Sequence, residues 1–444
     1  MTQRRSVLGW YFFDWASQPF HTLLITFLFA PYLKELLGDG AHAQGIWGLT
    51  IGIAGVLIAV TSPWLGALAD RAGRRMWFVA GFSVLYMLGS WGLWYSVPGA
   101  FSLPFLMLSF ILGMIGVEFA TVFTNSMLPD VAPKGQLGRV SGSGWAFGYL
   151  GGLVALIFAL VALADSADTG KTLIGIAPLF GLDPSLREGI RAVGPFTALW
   201  FGLFMIPFFL WVRLPKVENK MTVAHALRRA GPELRLSLRA LPQQRSLMAF
   251  LGSSMLYRDA LNGFYAFGGL YAAGVLDWSI TSIGIFGIVT LITGAAFAWI
   301  GGRADDLFGP RRIIAGAIVA LTFAAVGVLM ISRDHVFGIL VDESSSLPDI
   351  AFYLAGGVIG AAGGTLQAAS RTMLVHQARP EAITEAFGLY ALAGKATAFL
   401  APLSIGAITM ITDSQPLGMI PLMVLFLLSL ILLAFVKPKR EEAR

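Results

Sequence analysis

The chain has no cysteine in its 444 residues, which excludes disulfides and thiolate metal ligands and leaves the redox compartment unread. Histidine is almost as scarce. Its five residues are scattered, four of them in loops or the linker, so neither a metal-type His/Asp cluster nor a nucleophile with its base is at hand. An intramembrane enzyme is therefore disfavoured, and no metal or cofactor is expected. No G-x-x-x-x-G-K-[ST] occurs and no glycine-rich stretch follows a strand, which excludes a nucleotide-driven pump within this chain. Charge is thin as well, at 13% of residues against 56% hydrophobic. A soluble protein of that balance would expose large apolar patches and aggregate, so the chain reads as a polytopic membrane protein. The net charge of +6 brings nucleic acid to mind, but no soluble basic domain exists to carry such binding.

A bilayer core of about 30 Å needs roughly 20 apolar residues per helix. Twelve runs qualify, near 10–33, 45–69, 76–96, 103–128, 140–164, 192–212, 246–273, 278–301, 313–332, 350–375, 386–412 and 417–436. The first is too long for a signal peptide and lacks a clear small-residue cleavage site, so it reads as a retained span. Of the 31 Lys and Arg, 23 fall in loops on the side of the N-terminus, five in the opposite loops and three inside spans. That bias places both termini in the cytoplasm. Residues 213–245 carry eight of the basic residues together with Pro215, Pro232 and Pro242. They read as a cytoplasmic linker between a six-span bundle at 1–212 and another at 246–444. Ala224–Arg229 and Glu233–Leu241 within it read either as short basic amphipathic helices on the inner leaflet or as a plain tether. The longer loops 165–191 and 333–349 read as connectors.

A charged turn, Gly66-Ala67-Leu68-Ala69-Asp70-Arg71-Ala72-Gly73-Arg74-Arg75, lies between the second and third runs. It returns 236 residues later as Gly302-Arg303-Ala304-Asp305-Asp306-Leu307-Phe308-Gly309-Pro310-Arg311. Other matches follow at offsets of 245 and 246: Asp14 with Asp259, Gly142 with Gly388, and Gly148 with Gly394. Both halves run in the same direction, as parallel repeats do. The turn resembles the signature loop of the major facilitator superfamily, and the resemblance covers the whole chain. It implies an all-α membrane fold of twelve transmembrane helices in two six-helix bundles related by pseudo-two-fold symmetry. Trp10-Tyr11-Phe12-Phe13-Asp14-Trp15-Ala16-Ser17, Leu128-Pro129-Asp130 and Gly138–Tyr149 resemble, more narrowly, the autophagy-related vacuolar amino-acid effluxers and their bacterial relatives. Leu256–Ala260, Gln367–Arg371 and Ala386–Tyr390 with Lys395 do so too, with Ala260 standing where glycine is expected.

The resemblance implies a secondary transporter working by alternating access as a monomer in the bacterial inner membrane. Its partners would be a small polar solute, protons and the bilayer. It also implies that Gly66, Asp70, Arg71, Gly73, Arg74 and Arg75, with Gly302, Asp306, Gly309 and Arg311, act in gating. The first copy, being the more regular, is expected to be the stronger latch. A transporter-like sensor or scaffold without flux remains the alternative.

Six formal charges lie inside the expected spans: Asp14, Glu118, Arg258, Asp259, Arg371 and Lys395. Each would cost about 2.5–3.5 kcal/mol facing lipid at a helix centre, so they are expected to face an interior. Glu118 is the foremost candidate proton carrier, with Asp14 and Asp259 beside it; alternatively Glu118 is a permanent partner of Arg371 or Lys395. Asp14 and Asp259 could equally be structural acceptors or ion-pair members. Arg371 and Lys395 offer positive charge to a carboxylate, and an acid opposite them would complete a site for a zwitterion. Trp15, Asn125, Tyr149, Tyr257, Asn262 and Gln367 are candidate cargo contacts. The aromatic cluster Trp10–Trp15 reads as an interfacial belt or as cavity lining. Glycines four apart, Gly144, Gly148 and Gly152 and then Gly356, Gly360 and Gly364, read as close helix-packing faces.

Overall fold

An apolar run in hydrocarbon must satisfy its backbone polar groups within itself, so it folds as a helix. The computed structural model of the chain is built of such helices. It describes residues 2–215 apart from 39 and 167–168, then 231–232 and 239, and 241–437 apart from 277, 279, 343–344 and 413. The helices that matter here are α1 (Thr2–Pro19), α2 (Phe29–Leu37), α3 (Gly40–Ala72), α4 (Arg75–Gly92), α5 (Leu103–Ser126), α6 (Leu137–Phe158) and α7 (Val193–Trp211). They continue with α8 (Arg245–Val275), α9 (Ile280–Phe308), α10 (Pro310–Leu329), α11 (Leu347–Gln377), α12 (Ile383–Ala396), α13 (Leu400–Thr412) and α14 (Ile420–Ala434). Among the described residues, 11 helical stretches are long and apolar enough to cross a membrane, and they fall on all the expected runs but one. The remaining run, 246–273, is α8, a 31-residue helix with Arg258 and Asp259 near its middle. The linker readings at 224–229 and 233–241 lie outside the described residues, save Arg239 and Leu241.

Contacts sort the chain into two units, Met1–Val131 with Phe147–Leu227, and Ala132–Ala146 with Arg228–Arg444. The opening of α6, up to Ala146, therefore groups with the second half of the chain and its remainder with the first.

In the first unit, α4 and α5 approach until backbone meets backbone. A Cβ at Gly89 would lie 2.2 Å from the Gly113 nitrogen, and one at Gly116 would lie 2.4 Å from the Tyr86 nitrogen. Gly148 and Gly152 of α6 sit against Asp14, Gln18 and Thr22 on α1 and its continuation. In the second unit, Gly356, Gly360 and Gly364 of α11 receive Phe286, Thr290 and Gly294 of α9. The four-residue glycine spacing thus serves close helix approach, the small-residue packing that membranes favour. Trp10 and Phe13, expected at an interface or a cavity, are instead core residues of the first unit, 1% and 0% exposed. The Trp10 indole N–H donates to the Thr124 carbonyl at 2.8 Å.

Two interruptions shape the helices. α1 passes at Pro19 into a π-helical stretch, Phe20–Phe27. The run expected as one span at 386–412 is two helices, α12 and α13, parted at Thr397–Phe399. Pro402 is the cause in the sequence: it has no N–H to give, and its ring would press on the carbonyl of residue 398 if the helix continued. The longer loops are tied as well as connecting. Arg187 pairs with Asp165 at 2.5 Å and Glu35 at 2.8 Å in the first unit. In the second, Arg333 pairs with Asp349 at 2.9 Å.

The α4–α5 contact is directly testable. Gly89→Ala is expected to lower stability by about 1–3 kcal/mol, because backbone rather than a flexible side chain must give way. Gly81→Ala on the same helix should stay within about 0.5 kcal/mol, since its added Cβ meets nothing within 4 Å. Thermal unfolding in detergent distinguishes the two, and equal shifts would contradict the close approach.

Candidate functional site

The second copy of the charged turn is built around one carboxylate. Gly138 and Arg139 open α6, where the first amides of a helix have no partner within it. Asp306, near the end of α9, accepts both: the Gly138 N–H at 2.7 Å and the Arg139 N–H at 3.0 Å. Negative charge at a helix N-terminus is favoured by the macrodipole and by charge-assisted bonding. Glycines make the approach possible, since a Cβ at Gly142 would fall 2.7 Å from the Gly302 Cα. Asp305, the added acid of this copy, is buried and accepts from the Thr372 hydroxyl. Arg311 donates to the Ala434 carbonyl at 2.8 Å. Gly309 turns the chain at φ 81°, open to glycine and strained for other residues.

The first copy is held differently. Arg75 donates to the Ser126 carbonyl at 3.0 Å and pairs with Asp130 at 2.9 Å, while Asp70 stands 3.8 Å from its Nε. Gly73, with φ 58°, makes the turn. Each copy is thus a structured turn with its own partners. Asp130 acquires a role that its place in the Leu-Pro-Asp motif did not reveal.

The intramembrane charges of the second unit gather around α8, α11 and the α12–α13 break. Arg258 lies over the Tyr390 ring, 4.4 Å from its centroid, and donates to the Tyr390 carbonyl at 3.0 Å. Its guanidinium presses on Gly394, where an added Cβ would lie 2.3 Å from Nη1. Asp259, 2% exposed, turns the other way: its Oδ2 accepts the Ala401 N–H at 2.9 Å, at the opening of α13. Its Oδ1 is buried and has no hydrogen-bond partner among the described residues. The break therefore presents a capped helix start together with a carboxylate oxygen still able to accept. The hydroxyl of Thr397, inside the break, is likewise buried and unbonded among the described residues. Lys395 closes the last turn of α12, where a cation suits the carbonyl end.

Arg371 on α11 is 4% exposed, with its guanidinium carbon 5.1 Å from the Trp145 ring centroid. One turn below it, Gln367 is half-buried. Tyr257 is committed: its hydroxyl lies 2.6 Å from that of Ser370, which itself donates to the Leu366 carbonyl. Asn262 is exposed and stands apart from this group.

The first unit holds the remaining candidates. Asp14 is 9% exposed and packs beside Gly148. Trp15 stacks on Trp200 at 5.9 Å and lies 4.7 Å from Phe147, its indole N–H buried without a partner among the described residues. Asn125 likewise buries an unbonded amide oxygen. Glu118 is half-buried on α5, flanked by the buried Val117 and Phe119, and Tyr149 is buried on α6. Sequence reasoning missed Asp130, Trp145, Ser370, Thr397 and Pro402 as working parts. Only Pro402 carried a local signal, as proline within an apolar run.

Similarities to known proteins agree with this architecture. The family model described as "Vacuole effluxer Atg22 like" matches residues 35–444. The MFS-type transporter YxiO of Bacillus subtilis is 25% identical over 435 residues, 96% of this chain and 94% of that protein. The multidrug resistance protein MdtG of Klebsiella pneumoniae is 27% identical over 360 residues, covering 78% of this chain and 74% of its own length. Among solved structures, the major facilitator FucP in its outward conformation superposes with a TM-score of 0.71 at 14% identity, covering 98% of this chain and 99% of its own. The proton:xylose symporter XylE does so with 0.68 at 12% identity, over 98% and 95%.

Asp259 can be tested as a helix cap. Asp259→Ala removes the acceptor for the Ala401 amide and is expected to cost about 1–2 kcal/mol, the usual loss at a cap. Asp259→Asn keeps an amide oxygen for that bond and should retain most of the stability. Comparing the melting of the two in detergent checks the assignment, and equal losses would contradict it.

Proposed function

The chain belongs to the vacuole effluxer Atg22-like family and has the fold of the major facilitator transporters, and from that premise we propose that it is a proton-driven secondary carrier of an amino-acid-like zwitterion or organic anion. It is a multi-pass membrane protein, and its relatives are transporters rather than enzymes. The observation that carries the finer reading is the presence of buried charges of both signs inside the spans: Asp14 and Asp259 on one side of the balance, Arg371 on the other. Burying such groups is costly, and in membranes they mark solute and proton paths.

In this reading Arg371 and Lys395 receive the carboxylate of the cargo, Arg371 through paired N–H donors. Trp15, Asn125 and Tyr149 are the proposed cargo contacts of the first unit, and Gln367 and Arg258 those of the second; Asn125 has a buried oxygen, unbonded among the described residues, that would accept from an ammonium. Tyr257, whose hydroxyl lies 2.6 Å from that of Ser370, is a further proposed contact. Glu118, Asp14 and Asp259 carry protons, and Asp259 has the free oxygen such a role needs. The charged turns act as the gate, with Asp70, Arg71, Arg74 and Arg75 in one copy and Asp306 and Arg311 in the other. Two six-helix bundles, 1–212 and 246–444, joined by 213–245, would alternate access in a bacterial inner membrane with both termini in the cytoplasm.

Purified protein in proteoliposomes tests the function. A protonophore-sensitive accumulation of amino acids or organic acids is expected; ligand binding with no flux would instead favour a sensor. Two substitutions then test the residues. Glu118→Gln should abolish accumulation against a gradient and leave solute exchange intact, and wild-type accumulation in that variant would remove Glu118 from the proton path. Arg371→Ala should weaken carboxylate cargo by about tenfold or more, the loss of a charge-assisted bond. Unchanged affinity across amino and organic acids would assign Arg371 to structure alone.

A further inference from the structure

We propose that one face of α4 is a groove for a single anionic phospholipid, with the phosphate at Arg74 and an acyl chain lying along Gly81. Arg74, Trp77, Phe78, Gly81, Phe82 and Leu85 recur at intervals of three and four, so they share one helix face. Together they line a groove of about 400 Å³.

Each part is present for a physical reason. Arg74 and Arg75 are neighbours with different fates. Arg75 is taken up by Ser126, Asp130 and Asp70, whereas Arg74 is exposed and its guanidinium holds no hydrogen bond or ion pair among the described residues. Trp77 is 77% exposed, one turn further into the helix. Gly81 supplies the trough, since a Cβ there would meet nothing within 4 Å. The trough stays open because its aromatic walls are pinned from behind. Phe78 lies 5.1 Å from Phe123 of α5, and Phe82 lies 4.9 Å from Phe119 and 5.7 Å from Phe123.

The occupant follows from continuity and charge. α4 is a membrane span, so the groove runs from its charged end into the apolar band. A free cation at the mouth, an indole at the boundary and a hydrocarbon trough below match the order of phosphate, glycerol and acyl chain in a lipid. The internal repeat supplies a control. At an offset of 236 the same stripe reads Pro310, Ile313, Ile314, Ala317, Ile318 and Leu321. The cation, the tryptophan and the glycine are all lost, on a helix at the same place in the second copy. The features are thus specific to this face rather than inherited by every helix after a charged turn.

The test uses the full-length protein in detergent, with phosphatidylglycerol and phosphatidylcholine titrated against it and bound lipid counted by native mass spectrometry. Wild type is expected to retain phosphatidylglycerol about tenfold more tightly than phosphatidylcholine, because both offer a phosphate to Arg74 but the choline ammonium of the second offsets its charge and repels the guanidinium. Arg74→Ala should erase that preference. Gly81→Leu should lower retention of both lipids, and because its side chain enters open space, its melting temperature should match wild type. Brominated phosphatidylglycerol should quench wild type more than Trp77→Phe. Equal retention of the two lipids by wild type, or unchanged phosphatidylglycerol retention in both groove variants, would overturn the proposal. So would a dimer that Gly81→Leu dissociates, which would assign the groove to a second copy of the chain.

Discussion

In hydrocarbon no water stands ready to complete a broken helix, so every interruption must be answered by a group of the protein itself. This constraint organises the second unit. Two helices begin where their first amides would otherwise be orphaned, and a carboxylate meets each: Asp306 at the opening of α6, at the charged turn outside the apolar runs, and Asp259 at the opening of α13, inside one, where the constraint applies in full. The glycines at 138, 142 and 302 are subordinate to the first of these bonds, because any side chain there would hold the backbones too far apart for it. Pro402 makes the second one necessary, by removing a donor and forcing the break that Asp259 then covers. The charges that look most exotic in this sequence are therefore partly architectural, and function has to use what that duty leaves over, such as the unbonded oxygen of Asp259.

The duplicated turns show how far two copies of one motif diverge. Their spacing of glycine, aspartate, glycine and arginine is identical, yet the aspartates meet different chemistry. Asp70 faces the guanidinium of Arg75, and Asp306 faces backbone amides. The first copy, the more regular in sequence, commits Arg75 to Asp130 and Ser126. The second, less regular in sequence, closes on two main-chain donors and adds a buried acid at Asp305. Regularity of a motif reports descent, whereas the strength of a contact depends on the partner brought to it.

Membrane class, the positions of the spans and the family could be read from the sequence, because long apolar runs and a duplicated charged turn are local signals. Partners over long range could not. Nothing near Arg75 announces Asp130, and nothing near Arg371 announces Trp145. The aromatic run at 10–15 was ambiguous for a different reason: in a membrane helix the lipid face and the protein face are both apolar, so periodicity does not say that Trp10 and Phe13 turn inward. The break between α12 and α13 was hidden inside an apolar stretch that reads as one span, although Pro402 stood in view. The grouping of Leu137–Ala146 with the second unit depends on close glycine contacts that no composition reveals.

The bond from Asp259 to Ala401 runs from a side chain to the main chain, and this has a consequence for how the protein can vary. Any residue at 401 other than proline supplies the same N–H, so the bond itself constrains 259 and not the side chain at 401, which burial alone keeps small. A search for compensating pairs would find no covariation between the two positions, even though they touch. The dependence is one-sided: the acid carries the whole burden of identity, and its partner contributes only by being a peptide.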